Sequence, residues 1–297
     1  MTNRSKCLMC AAALAALALL PAGIAAQNDA KQAAKGKAGK GKGAVPAGPA
    51  PTTPSPNVPK AADGHPDFTG VWQAGSTRIG TWAEANADGS FGGGTGRVTP
   101  YANREPNERP PYREAAARKV VESFNRRGID DPMARCLPPG VPRTTTMGLF
   151  PMQIVQTPEQ VIMLFEVFHV FRVIPLNAKH PDDIVPSMMG TSVGRWEGDT
   201  LVVDAIGFND LTWLAGTGTI HSDQLRVVEK FRRMDENTIV YEATMTDPDV
   251  FTKPWTIRST FMLRPGTRLQ EYECAENNID AQRYEKLLED ETVFRRK

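Results

Sequence analysis

The chain lacks the short signatures that carry most familiar chemistry. No phosphate-binding loop, dinucleotide fingerprint, Gly-x-Ser-x-Gly elbow or paired haem-attachment cysteines occurs in its 297 residues, which leaves phosphoryl transfer, hydride transfer and elbow-type serine hydrolysis without a motif. Histidine is scarce, four in all, and none belongs to a compact His-x-His or His-Glu-x-x-His run, so a dedicated zinc site has no local support. Neither charge sign dominates, with 35 basic against 34 acidic residues. Cysteine is equally sparse: four are present, and Cys7 and Cys10 fall in an N-terminal leader.

That leader is the one long hydrophobic run. Arg4 and Lys6 precede an apolar stretch from Leu8 to Leu20, followed by Pro21 and small residues to Ala26, the pattern of a secretory signal over residues 1–26. Residues 27–60 are rich in Ala, Gly, Lys and Pro and bury nothing, so they read as a disordered linker. Residues 61–297 then form one domain with 27 basic and 33 acidic residues, net −6. A mildly acidic domain without basic stripes argues against nucleic acid as a partner, and no later run is long enough for a membrane span. The expected location is periplasmic or secreted. In such an oxidising compartment Cys136 and Cys274 are expected to form a disulfide.

After a Gly-rich stretch over 75–107, a long loop or lid, Pro110-Pro111 opens a helix with Tyr112, Ala116, Val120 and Phe124 on one face. Alternating segments follow at 152–156, 161–166, 169–174, 192–196, 200–208, 224–234, 238–246, 255–263 and 269–274, separated by turns such as Glu197-Gly198-Asp199 and Asp235-Glu236-Asn237. Consecutive strands joined by short hairpins predict a mainly β fold, an antiparallel meander closed into a barrel with one or two flanking helices. Gly70-Val71-Trp72 resembles the first strand of lipocalin-type barrels, where the Trp closes one end.

One acid breaks the alternation. Leu225, Val227, Glu229 and Phe231 share a strand face that is otherwise apolar, and an inward carboxylate is costly unless paired, protonated or used. An odd hairpin loop pairs Phe231 with Tyr241, Glu229 with Ala243 and Val227 with Met245. If that register continues, Ser259 lies beside Ala243, and the row Glu229, Ala243, Ser259 leaves a polar pocket. The competing reading is that Arg172 or Lys253 fills the space with a salt bridge. Asp204 is expected on the same inward surface, His169 between Val167 and Phe171 with Glu166 and Arg172 on the opposite face if the strand is unbroken, and His221 on the loop feeding the Glu229 strand. Lys253 is a candidate anion clamp, while Trp213, Tyr241 and Trp255 suit a flat ligand.

Several runs occur together: Arg135-Cys136-Leu137-Pro138-Pro139-Gly140-Val141-Pro142-Arg143, Val193-Gly194-Arg195-Trp196-Glu197-Gly198-Asp199, Gly207-Phe208-Asn209-Asp210, His221-Ser222-Asp223, Lys253-Pro254-Trp255 and Glu273-Cys274-Ala275-Glu276-Asn277. As a set they resemble a family of exported, largely uncharacterised soil-bacterial proteins, over roughly residues 63–278. The resemblance implies domain limits and candidate sites but no reaction. Where that family has a His before Ser-Val-Gly-Arg-Trp, this chain has Thr191.

Three functions compete. The first is a cofactor-independent lyase, decarboxylase or isomerase acting on a small aromatic or phenolic compound, with Glu229, His221, His169 and Asp204 as acid–base groups. Arg172, Lys253, Tyr241, Trp255, Trp213 and Ser259 would then bind the substrate. The second is a lipocalin-like carrier or sensor of a hydrophobic small molecule. The third places a metal on His169, His221 and Glu229.

Overall fold

The computed structural model describes residues 53–74, 109–125, 130–216 and 218–276, with Asn278, Ile279, Arg283, Lys286 and Glu289. The leader, most of the linker and the 75–107 stretch lie outside the described residues. Nine antiparallel strands form one sheet: β1 (Gly70–Ala74), β2 (Met152–Gln156), β3 (Gln160–Phe165), β4 (Phe171–Pro175), β5 (Thr191–Glu197), β6 (Thr200–Ile206), β7 (Arg226–Arg233), β8 (Thr238–Thr246) and β9 (Trp255–Leu263). Their spatial order is β4-β3-β2-β1-β9-β8-β7-β6-β5. This is a meander, with β1 inserted between β2 and β9.

The sheet curls until its two edge strands meet. Leu176 forms a parallel bridge with Gly194, and the Asn177 amide donates to the Gly194 carbonyl at 2.7 Å, so β4 and β5 nearly close a barrel. A β-carbon on Gly194 would lie 2.9 Å from the Ile174 side chain and 3.0 Å from Leu176. Glycine at this position is what lets the seam come together.

Strand directions give the barrel two ends. The tight hairpins after β2, β5 and β7 lie at the base, while the far end of β1, the start of β2 and the described residues of the connections 166–170, 207–225 and 247–254 gather at the mouth. At the base Trp72 is fully buried and its Nε1 donates to the Phe68 carbonyl at 2.8 Å. The Arg233 guanidinium lies 5.2 Å from the Trp72 ring centre and donates to the carbonyls of Asp67, Asp235 and Glu236. Trp72 thus packs into the base of the barrel. Residues 53–60, read from composition as linker, already belong to this base: Ser55 N donates to the Met234 carbonyl, Val58 is buried, and Lys60 pairs with Asp199.

Between the ends the lumen is packed with Trp255, Tyr241, Phe231, Phe261 and Ile257, all essentially inaccessible. Burying each such side chain is worth on the order of 1.5–3 kcal/mol. Helix α1 (Glu114–Asn125) buries Ala116 and Val120, two members of its expected apolar stripe. A second helix, α2 (Arg143–Thr146), is buried throughout and plugs the mouth. Its approach is fixed by a bidentate Arg143–Asp131 pair (2.9 and 2.6 Å) and by the Cys136–Cys274 disulfide, whose Cα atoms are 5.5 Å apart. The predicted last strand at 269–274 does not form. That segment runs along the mouth to the disulfide, with Gln270 N donating to Glu166 and Tyr272 N to His169.

Candidate functional site

The β7–β8 register pairs Phe231 with Tyr241, Glu229 with Ala243 and Val227 with Met245. Glu229 has no accessible surface. Arg172 reaches it with two donors, Nη2 to Oε2 at 2.5 Å and Nη1 to Oε1 at 3.1 Å. The Tyr241 hydroxyl donates to Oε1 at 2.8 Å and Thr145 of α2 approaches at 3.4 Å. Arg172 Nη2 also donates to Ser192 Oγ at 2.9 Å. Burial first, and then the Glu229 carboxylate, push the Tyr241 phenol well above its ordinary value, so it stays a hydrogen-bond donor. Both carboxylate oxygens are therefore occupied by the chain itself. The cluster ties β4, β5, β7, β8 and α2 across the lumen.

Two neighbours expected around Glu229, Ser259 and Asp204, lie elsewhere. Ser259 pairs with Tyr241, and Ile257 takes the place beside Ala243. The shift is two residues, so Ser259 keeps its face but leaves the row, and an isoleucine fills the expected space. Asp204 pairs with Val228 on the outer wall, whereas Val203 is the register partner of Glu229. There Asp204 takes two donors from Arg226 at 2.8 Å each and one from His180 at 3.3 Å, and these outweigh burial to hold its carboxyl below the usual range.

His169 and Arg172 exchange expectations. The strand predicted from 169 breaks into a 3-10 turn at Val167–His169, where Phe168 and His169 adopt φ of 56° and 50°. The turn reverses the parity of the strand that follows. Arg172 faces inward, Phe171 is 63% exposed, and His169 Nε2 accepts the Tyr272 amide at 2.8 Å, away from Glu229. Among the described residues no group of three His, Cys, Asp or Glu side chains is placed to hold a metal, so His169, His221 and Glu229 make no such set. No described helix is long and apolar enough to cross a membrane.

A second polar cluster sits at the mouth around His221, which is 5% exposed. Its Nδ1 donates to the Ser222 carbonyl at 2.8 Å and its Nε2 accepts from Thr212 Oγ1 at 2.7 Å. Burial pulls the imidazole below its ordinary value, only partly offset by the Ser222 carbonyl, Asp247 and Asp210. The ring is thus neutral, with its proton on Nδ1 and its lone pair on Nε2. Asp247, itself buried, accepts from Ser222 N at 2.6 Å and Ser222 Oγ at 2.8 Å, which locks the His221 loop to the loop carrying Lys253. Lys253 is exposed, Trp255 is buried at the start of β9, and Trp213 bridges to Ile220 in the same loop.

The strap entering α2 passes directly over this pair. Gly140 has φ +78°, and a β-carbon there would lie 2.5 Å from Thr212 Oγ1. Thr212 and Thr145 carry no sequence signal of their own. Only the convergence of Gly140, Thr212 and His221 in space marks them. Comparison with protein-family models, curated proteins and solved structures returned no match.

Proposed function

We propose that this protein is an exported enzyme that moves a proton on a small aromatic or phenolic compound, without a cofactor, at the barrel mouth. The reading rests on one observation: a buried, neutral His221 whose Nε2 lone pair accepts a hydrogen bond from the Thr212 hydroxyl at 2.7 Å. A base oriented by a fixed acceptor on its other nitrogen is the arrangement that general-base chemistry needs. A substrate hydroxyl displacing that of Thr212 would meet the same lone pair. Trp213 shares the His221 loop, Trp255 opens β9, and the exposed Lys253, in the connection that Asp247 ties to Ser222, suits a substrate anion. Such chemistry belongs to lyases and isomerases. Glu229 serves in this reading as a positioning residue, because its oxygens already hold Arg172 and Tyr241.

Turnover of a panel of phenolic and aromatic carboxylic compounds, followed by mass spectrometry, tests this. His221→Gln should lower a detected rate by about 100-fold or more with the circular dichroism unchanged. Equal turnover by the variant would remove the proposal. A carrier of hydrophobic molecules is the second reading, favoured by the fully satisfied Glu229 and the aromatic lumen. It predicts quenching of tryptophan fluorescence by ligands that are recovered chemically unaltered.

A further inference from the structure

The outer wall of the barrel carries a feature that the mouth chemistry does not use. A recess of about 220 Å³ opens on the face of β5–β8 away from the lumen, lined by Glu197, Thr200, Lys230, Arg232 and Glu242. Two acids and two bases in one recess would ordinarily cancel. Here register and pairing prevent it.

Glu242 lies between Lys230 and Arg258 in the sheet, opposite both. Its carboxylate turns to Arg258, whose Nε donates at 3.1 Å. Glu197 is taken by Arg195, with Nε at 3.0 Å and Nη2 at 2.5 Å. The adjacent hairpin acid, Asp199, is held by Lys60 at 2.7 Å. Each of these three carboxylates thus has a cationic partner outside the recess. Among the described residues Lys230 and Arg232 have no ion-pair partner, and Thr200, directly opposite Arg232 in register, contributes a hydroxyl.

We infer that this recess is a binding site for a compact oxyanion bearing two negative charges, held by the Arg232 fork, the Lys230 ammonium and the Thr200 hydroxyl. An arginine fork matches the geometry of a phosphate or carboxylate, and the lysine adds a point charge. The volume is below that of drug-sized ligand sites, which suits a small polar anion rather than an extended one. A pair of cations without ion-pair partners, on a domain of net charge −6, gives the recess a local preference for anions.

Titration of the full chain with inorganic phosphate and, separately, with succinate at constant ionic strength tests this, read by amide chemical shifts. Saturable shifts centred on Thr200, Lys230 and Arg232 are expected, and the two titrants distinguish a tetrahedral from a dicarboxylate ligand. Lys230→Gln and Arg232→Gln, both surface changes, should each weaken binding by about tenfold or more. Arg195→Gln, which releases Glu197 into the recess, should weaken it too. Absence of saturation with both anions, shifts centred elsewhere, or undiminished binding by the Lys230→Gln/Arg232→Gln double variant would overturn the inference.

Discussion

Two buried arginines serve the same barrel in different ways. Arg233 at the base, 4% exposed, gives its donors to the backbone carbonyls of Asp67, Asp235 and Glu236 and lays its charge over Trp72. Arg172, also 4% exposed, enters from the mouth half and meets a carboxylate, a threonine and a serine from three different elements. The base is closed by neutral partners that are already part of turns. The upper half is closed by an ion pair whose loss would strand a charge. One end is therefore a lid of fixed backbone, and the other is a brace that depends on side chains and on the strap carrying α2.

Cutting the Cys136–Cys274 link should have the largest effect. It closes a separation of 138 residues, so Cys136→Ser/Cys274→Ser is expected to lower stability by about 4–5 kcal/mol in the chain-entropy model. Denaturant unfolding measures the loss. Hydrogen exchange should show it first around Thr145 at the mouth and last around Trp72 at the base.

Arg172→Met comes next, at about 3–5 kcal/mol, because Glu229 is left buried without its counter-charge. Adding Glu229→Leu should restore most of that loss, and a double variant as unstable as the single would contradict the brace. Arg233→Met, which strands only carbonyls and a ring face, should cost less, about 2 kcal/mol, with no gain from a second substitution. The two arginines thus differ in whether they can be rescued.

The smallest effect is a pH dependence confined to the mouth. His221 has a folded value depressed below its ordinary 6.5, so the unfolded chain takes up the proton first and stability falls as pH drops below that value. Above it the group contributes no slope. Thermal melts of His221→Gln should lose this part of the acid slope, whereas Arg233→Met should keep it.

Much of this architecture was legible in the primary structure, and the reasons for the failures are local. Alternation placed Val227, Glu229 and Phe231 inside, and an odd hairpin loop sufficed to pair Glu229 with Ala243. The same logic slipped by two residues for Ser259, because the connection 247–254 is long enough to take up a register change without reversing a face. Parity failed where two left-handed residues, Phe168 and His169, interrupt the strand. Neither is a glycine, so no residue type announced the turn: an unbroken strand would have turned Arg172 away, whereas the competing reading, Arg172 filling the space beside Glu229 with a salt bridge, is the one observed. Asp204 was misassigned because Leu201, Val202 and Val203 are all buried, which blurs the alternation on which its face was judged. Thr145 and Thr212 matter through long-range contacts that no short window contains.

If the mouth is the reactive end, His221 must hold a neutral ring with a defined tautomer. Long-range nitrogen–proton correlation spectra of the four histidines read this without any substrate. The account predicts a His221 ring protonated on Nδ1, with an unprotonated Nε2 that persists below pH 6.5 and shifts in Thr212→Val. A proton on Nε2, or titration at the ordinary histidine value, would contradict it.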